Sequence, residues 1–404
     1  MSTSTTPLET GMPARVAPSP GRPRVRGLDL LRGLVIILMV IDHVRWFLSE
    51  ARFDPTDPAL TTPALFFTRW VTHFCAPVFV LLAGAGAYLS LGRGRTRSSL
   101  SWYLLTRGTW LLLLEATVAR FGWQFNLDYG YTGALVFWAL GWSMIALAGL
   151  VWLPIPIIAA VGTLMIAGHN LLDGVEPASP GRWAWLWTVL HRPGMLTPAP
   201  GIDVFVLYPL VPWIGVMAAG YAFGTLFTLP AEARHRLLLR LGLAGTAAFV
   251  ILRAANGYGD PSPWGAQPEG WRTVLSFLNT TKYPASLLFL LMTLGPAIAL
   301  LPRLEGARGR LADAIHTIGR VPLFFWLLHV PLIHLIALGF SLVRYGEVVP
   351  WLVRNPPAPL PDGYGYGLPV VYAVTLAVVF LLYPACVWFA GLKRRRHDRW
   401  LGYL

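Results

Sequence analysis

The stretch that decides the fold is Arg26-Gly27-Leu28-Asp29-Leu30-Leu31-Arg32-Gly33-Leu34-Val35-Ile36-Ile37-Leu38-Met39-Val40-Ile41-Asp42-His43. It is an apolar run of membrane-spanning length with an ionisable residue near each end, Arg32 and His43. At 100° per residue, the step from Arg32 to His43 comes to about three turns plus 20°, so both side chains lie on one stripe of a helix. At about 1.5 Å rise per residue they stand roughly 16 Å apart along its axis. Asp29, Ile36, Met39 and Val40 fall near the same stripe. An ionisable column inside a membrane helix is costly to place there and marks a functional site by default.

Composition agrees with a membrane chain. Of 404 residues, 55% are hydrophobic and 13% charged, against about 25% charged in soluble domains. The net charge of +13 does not indicate nucleic-acid binding, because the basic residues sit in short segments between apolar runs, as the positive-inside bias requires. Cys75 and Cys386 both lie inside apolar runs and read as buried small hydrophobes, not as a disulfide. No phosphate-binding loop and no Gly-x-Ser-x-Gly elbow occurs. No two histidines have the i, i+3 or i, i+4 spacing of helical ligand pairs, so no metal is expected. Residues 1–26, rich in Ser, Thr and Pro with interspersed arginines, read as a disordered basic tail. The following apolar run is too long for a signal-peptide core and lacks a cleavage site, so it reads as an uncleaved first membrane helix.

Runs long enough to span number ten: approximately 28–48, 72–91, 101–118, 133–151, 154–172, 204–228, 238–255, 284–301, 321–343 and 367–391. The expected fold is therefore all-α, a polytopic integral membrane bundle of about ten helices, with one bundle domain over 27–392 and a basic tail over 393–404. Arginines and lysines gather on one side, as in Arg93-Gly-Arg95-Thr-Arg97 and Lys393 to Arg396. Acidic residues gather on the other, as in Glu50, Asp54, Asp57 and Asp128. This asymmetry puts both termini in the cytoplasm, Arg32 near the inner face and His43 toward the outer half. A multi-pass protein of the cell membrane follows.

Other polar groups fall inside or beside the spans. His73 opens the second span at the level of His43. Gly84 and Gly86 follow it, small residues that let helices approach closely. The third span carries Arg107, expected to pair with Asp29 or to join Arg32 in a basic inner mouth, and Glu115, expected to pair with Arg45 or Arg120. In the ninth span Pro331 should free a backbone carbonyl near His329. His334 and His169 read as structural histidines. Outer loops place aromatics with Asn126, Asp128 and Lys282, groups that suit a sugar, although an interfacial aromatic belt explains the tryptophans at least as well.

These residues resemble a known group. Arg32, ten residues, then His43 is the arrangement of the membrane acyltransferase-3 group. Leu28 to Gly33 with Leu38-Met39-Val40 resembles the first-span motif of the heparan-α-glucosaminide N-acetyltransferase family. Pro77-Val78-Phe79 leading to Gly84, Asn279 to Ser286, and Gly319 to His329 are similar to that family in the same order. The resemblance implies a transmembrane acetyltransferase using cytoplasmic acetyl-CoA to modify an amino sugar or other glycan on the far side. Lysosomal members have asparagine where His43 stands, and their proposed catalytic histidine lies in the loop after the first span. No histidine occurs here between His43 and His73. The catalytic role thus falls to His43, as in the acyltransferase-3 pattern, or to His73, with His329 a further candidate.

Acyl transfer needs a cationic inner mouth for coenzyme A, which Arg32 and Arg107 supply, and a base of near-neutral pKa. An extended pantetheine arm, on the order of 15–20 Å, matches the rise from Arg32 to His43. Asp42 points about 100° away from His43, so an orienting carboxylate is expected from another span. Asp29 joins Asn126, Asp128 and Lys282 as a candidate substrate contact. The rival is a carrier or flippase without chemistry, which also fits ten spans and a trans-bilayer ionisable column. Partners are the bilayer, the acyl donor and the glycan acceptor; a homodimer is allowed, and nucleic acid is not expected.

Overall fold

The computed structural model describes residues 25–175, 181, 183–355, 358–396 and 398–404, without the side chain of Arg399. The expected tail up to residue 24 and the loop residue Glu176 lie outside them. Helices dominate: α1 (Arg26–Leu48), α2 (Pro63–Trp70), α3 (Cys75–Leu91), α4 (Arg97–Leu114), α5 (Arg120–Gln124), α6 (Val136–Leu150), α7 (Ile155–Gly168) and α8 (Ala184–Leu190). They continue with α9 (Leu210–Phe223), α10 (Ala231–Ala255), α11 (Gly270–Leu278), α12 (Leu287–Gly306), α13 (Arg310–Gly319), α14 (Pro322–Tyr345) and α15 (Leu368–Arg395).

Local chemistry sets several of the starts. Thr62, Thr96 and Ser286 each cap the following helix by accepting from the backbone N–H three residues on, and Pro63 and Pro322 stand in first turns, where a missing N–H costs nothing. Seven helical runs among the described residues are long and apolar enough to cross a membrane: Pro63–Leu91, Ile155–Leu172, Leu210–Thr228, Ala231–Ala255, Leu287–Gly306, Pro322–Tyr345 and Leu368–Arg395. The remaining three expected spans fall on α1, α4 and α6. Of these, α1 carries Asp29, Arg32, Asp42 and Arg45 within its apolar run, and α6 is a shorter apolar helix.

The all-α expectation needs one correction. Strands β1 (Tyr131–Ala134), β2 (Gly194–Ala199) and β3 (Ile202–Val206) form a small sheet in the order β1-β3-β2, with β3 parallel to β1 and antiparallel to β2. Residues 133–134 and 204–206, expected to begin the fourth and sixth spans, are strand instead. Val204-Phe205-Val206 is a β-branched and aromatic run, Gly201 turns at φ +77° between β2 and β3, and Pro209 starts α9 only after the strand has ended.

Helix α1 lies between two apolar cores. Leu28, Leu31, Val35 and Met39 pack with α3, α4, α6, α9, α10 and α12. Ile36, Val40, Val44, Phe47 and Leu48 pack with α13, α14 and α15. Two glycine contacts set how closely helices approach. A Cβ on Gly319 would stand 1.8 Å from the Asp29 carbonyl oxygen, and one on Gly33 would stand 2.1 Å from that of Ile315, so α1 and α13 meet backbone to backbone. Gly84 does the same against Met217 of α9, at 2.2 Å, while Gly86 has nothing within 4 Å; close packing belongs to the first of that pair alone.

Gly319→Ala should therefore lower the thermal unfolding midpoint in detergent, by an overpacking cost of roughly 1–3 kcal/mol, while Gly86→Ala leaves it unchanged. Equal midpoints for the two variants would contradict the close approach of α1 and α13.

Candidate active site at the two ends of helix α1

At one end, Arg32 donates from Nη1 to Asp29 Oδ1 at 2.9 Å and to the Gly319 carbonyl at 3.4 Å. The second bond is possible because Gly33 and Gly319 let the two backbones touch. Arg107 donates to the Gly402 carbonyl at 2.7 Å, not to Asp29, so the expected Arg107–Asp29 pair does not form. Between these anchors lies a pocket of about 200 Å³ lined by Arg320, Val321, Ala390, Lys393, Arg396 and Gly402, with Asp398 and Leu401 completing it. Arg32 and Arg107 do not line this pocket. Each fixes one of its walls, Arg32 through Gly319 and Arg107 through Gly402. Three of the eight residues that line it, Arg320, Lys393 and Arg396, are cationic, as anion binding requires.

At the other end, His43 Nδ1 lies 2.7 Å from His329 Nε2. The ring planes are within 17° and the centroids 4.9 Å apart, so the imidazoles stand edge to edge in nearly one plane. His329 Nδ1 faces the Trp326 carbonyl at 2.8 Å and that of Phe325 at 3.3 Å. A carbonyl oxygen only accepts, so this Nδ1 carries a hydrogen. His329 is fully buried, and no carboxylate is paired with it among the described residues, so an imidazolium there would be an uncompensated charge. Its Nε2 therefore holds a lone pair. His43 Nδ1–H donates to it, and His43 Nε2 is left with a lone pair of its own. Trp123 closes over His43 edge-on at 4.8 Å, backed by Phe47.

The carboxylate expected to orient His43 from another span is replaced by this imidazole. Asp42 is engaged elsewhere: Arg45 Nη2 donates to its Oδ1 at 2.9 Å, and Arg69 Nη1 to its Oδ2 at 2.5 Å. Arg69 had no place in the sequence reading because the second membrane run was expected to begin at residue 72, whereas the helical run starts at Pro63. An arginine preceding an apolar run was the available signal. Glu115 likewise meets neither Arg45 nor Arg120. It accepts from the Trp138 N–H at 2.9 Å, filling one of the orphan donors at the start of α6, where the helix dipole favours an anion.

The other candidates spread out around this end. His73 is buried in a short 3-10 turn (Val71–Phe74), edge-on to Phe289 at 5.5 Å, with Arg69, Lys282 and Asp42 as its electrostatic neighbours. No direct contact joins it to His43. Lys282 stands over the Tyr283 ring, whose hydroxyl meets that of Tyr208. Asn126 is occupied by Arg120 and by the Val353 carbonyl, and Asp128 Oδ1 accepts from Gly130 N–H, so both side chains build their loop. His334 donates to the Gly122 carbonyl at 3.0 Å and stacks on Phe125, clamping the turn after α5.

Asp42 holds two guanidinium groups beside His43, so Asp42→Asn should cost roughly 3 kcal/mol by leaving both without a counter-charge. Thermal unfolding in detergent should show a larger loss of stability for Asp42→Asn than for His43→Gln. The reverse order would mean that Asp42 does not anchor this end of α1.

No curated protein matches the chain. A family model described as heparan-alpha-glucosaminide N-acetyltransferase, catalytic, matches residues 24–252. The matched segment runs from α1 into α10 and so takes in Arg32, His43, His73 and Arg107, while His329 lies beyond it. With more than half of its length under that model, the chain belongs to the heparan-alpha-glucosaminide N-acetyltransferase catalytic family.

Proposed function

We propose that this chain is a ten-span membrane enzyme that moves an acetyl group from cytoplasmic acetyl-CoA to an amino sugar or other glycan on the opposite side. Family membership supports a membrane acetyltransferase. The observation that carries the catalytic assignment is the hydrogen bond from His43 Nδ1 to His329 Nε2, because it leaves His43 Nε2 as a base. Both termini lie in the cytoplasm in this reading, consistent with the distribution of Arg and Lys between apolar runs.

The phosphates of coenzyme A bind at the pocket of Arg320, Lys393 and Arg396, whose walls Arg32 and Arg107 hold in place. The pantetheine arm follows α1 toward His43, a rise of about 16 Å. There the acceptor amine or hydroxyl attacks the thioester carbonyl carbon. The new C–N or C–O bond forms as the C–S bond breaks, and the acceptor's proton goes to His43 Nε2 and then to the departing sulfur. When His43 becomes an imidazolium, its Nδ1–H still donates to His329, so the charge is stabilised at the moment it appears. Lys282, Tyr283 and Tyr208 form the polar surface for the acceptor. Asn126, Asp128 and Asp29 act by shaping loops and the inner pocket.

The test is transfer of labelled acetyl groups by the purified protein to a panel of amino sugars and glycans. His43→Ala should lower kcat by roughly 10²–10⁴-fold with coenzyme A binding retained. Arg32→Ala should weaken coenzyme A binding instead. His329→Gln, whose carbonyl still accepts from His43, should retain more activity than His329→Leu and shift the pH profile. Full activity in His43→Ala would overturn the assignment of the base. An absence of both transfer and coenzyme A binding in the intact protein would favour a carrier.

A further inference from the structure

A second group of ionisable side chains lies away from helix α1. His169 opens a 3-10 turn at the end of α7 (His169–Leu172), and Asp173 follows it at i, i+4 spacing. His191 ends α8. Both imidazoles are buried, at 2% and 1% exposure, and neither ring nitrogen of either histidine makes a hydrogen bond. The Ala285 and Leu172 backbones approach the rings without reaching hydrogen-bond geometry. His191 Nε2 comes within 3.2 Å of Asp173 Oδ1, again off the hydrogen-bond direction. Four unsatisfied nitrogens on two buried imidazoles would be a heavy desolvation cost with nothing between them.

We propose that His169, Asp173 and His191 form a zinc site. One donor atom from each lies within 4.8 Å of the others, so a central ion stands no more than about 2.8 Å from all three, and side-chain shifts of under about 1 Å bring it to bonding distance. Two imidazoles with one carboxylate suit zinc, whereas calcium and magnesium favour all-oxygen shells. The carboxylate is already oriented: Asn170 Nδ2 donates to Asp173 Oδ2 at 2.7 Å, and Asn170 Oδ1 accepts from Leu287 N–H at 2.9 Å. Arg192 Nη2 donates to the Asp173 backbone carbonyl at 3.0 Å. Asp173 keeps 18% exposure, so a fourth position is accessible to water. The ion ties the end of α7 to α8 and, through Asn170, to the start of α12. It therefore fastens the loop that leads from α7 toward β2 onto the bundle.

The experiment uses the full chain purified without a histidine tag, stripped with a chelator and then titrated with zinc alone. Elemental analysis should give one zinc per chain, and zinc should raise the unfolding midpoint by about 3 °C or more. The cobalt(II)-loaded protein should show the visible absorption of a four-coordinate site. Asp173→Asn and the His169→Gln/His191→Gln double variant should lose the stoichiometric zinc and the thermal shift. His235→Gln, which alters a separate His–Glu pair, should keep both. If the double variant does not fold, the wild-type titration and Asp173→Asn decide. Failure of the intact protein to retain zinc or to gain stability would overturn the site, and so would zinc retained in Asp173→Asn, the mark of adventitious binding.

Discussion

A carbonyl oxygen cannot donate a hydrogen bond, and that limitation organises the His43 end of the molecule. His329 faces the carbonyls of Trp326 and Phe325 from within its own helix, so its Nδ1 must carry the hydrogen. With that nitrogen settled and no counter-ion paired to a fully buried ring, Nε2 can only accept. The consequence passes along the bond to His43, whose outer nitrogen keeps a lone pair. A backbone carbonyl thus does what a carboxylate does in many acid–base pairs, without adding a charge to an apolar interior.

The same economy appears throughout α1. Both aspartates on this helix take an arginine one turn on, so that a charged helix can sit between two apolar cores. Asp29 takes Arg32, and Asp42 takes Arg45 one turn on and Arg69 from the neighbouring run. Gly33 and Gly319 remove the side chains that would keep α13 away, and this contact lets Arg32 reach the Gly319 carbonyl. The turn so fixed carries Arg320 into the basic pocket. Geometry at the Arg32 end and chemistry at the His43 end therefore depend on one helix.

Much of this was legible in the sequence. The period of the helix put Arg32 and His43 on one stripe, and composition called for a helical membrane bundle. His43, His73 and His329 were recognised as polar residues in apolar runs, but only the structure shows that His43 and His329 meet while His73 stands apart. Such pairings depend on helix rotation, which hydropathy alone does not set when a helix is apolar nearly all round. The ion-pair assignments failed for the same reason. Glu115 satisfies the start of α6 and Arg107 holds Gly402, because local backbone groups competed successfully with distant charges. The short strands were hidden by their apolar character, which reads equally as the start of a span. The His169–Asp173 spacing was visible, but its third member, His191, follows a separate short helix, and no helical spacing links it to the other two.

The central claim is that His43 offers Nε2 as a base because His329 accepts at its other nitrogen. Nitrogen-15 spectra of histidine-labelled protein in lipid bilayers, assigned through His43→Gln and His329→Gln, report the protonation of each ring nitrogen directly. The account predicts hydrogen on Nδ1 and a bare Nε2 for both His43 and His329 at neutral pH. Hydrogen on His43 Nε2, or a doubly protonated His329, would contradict it.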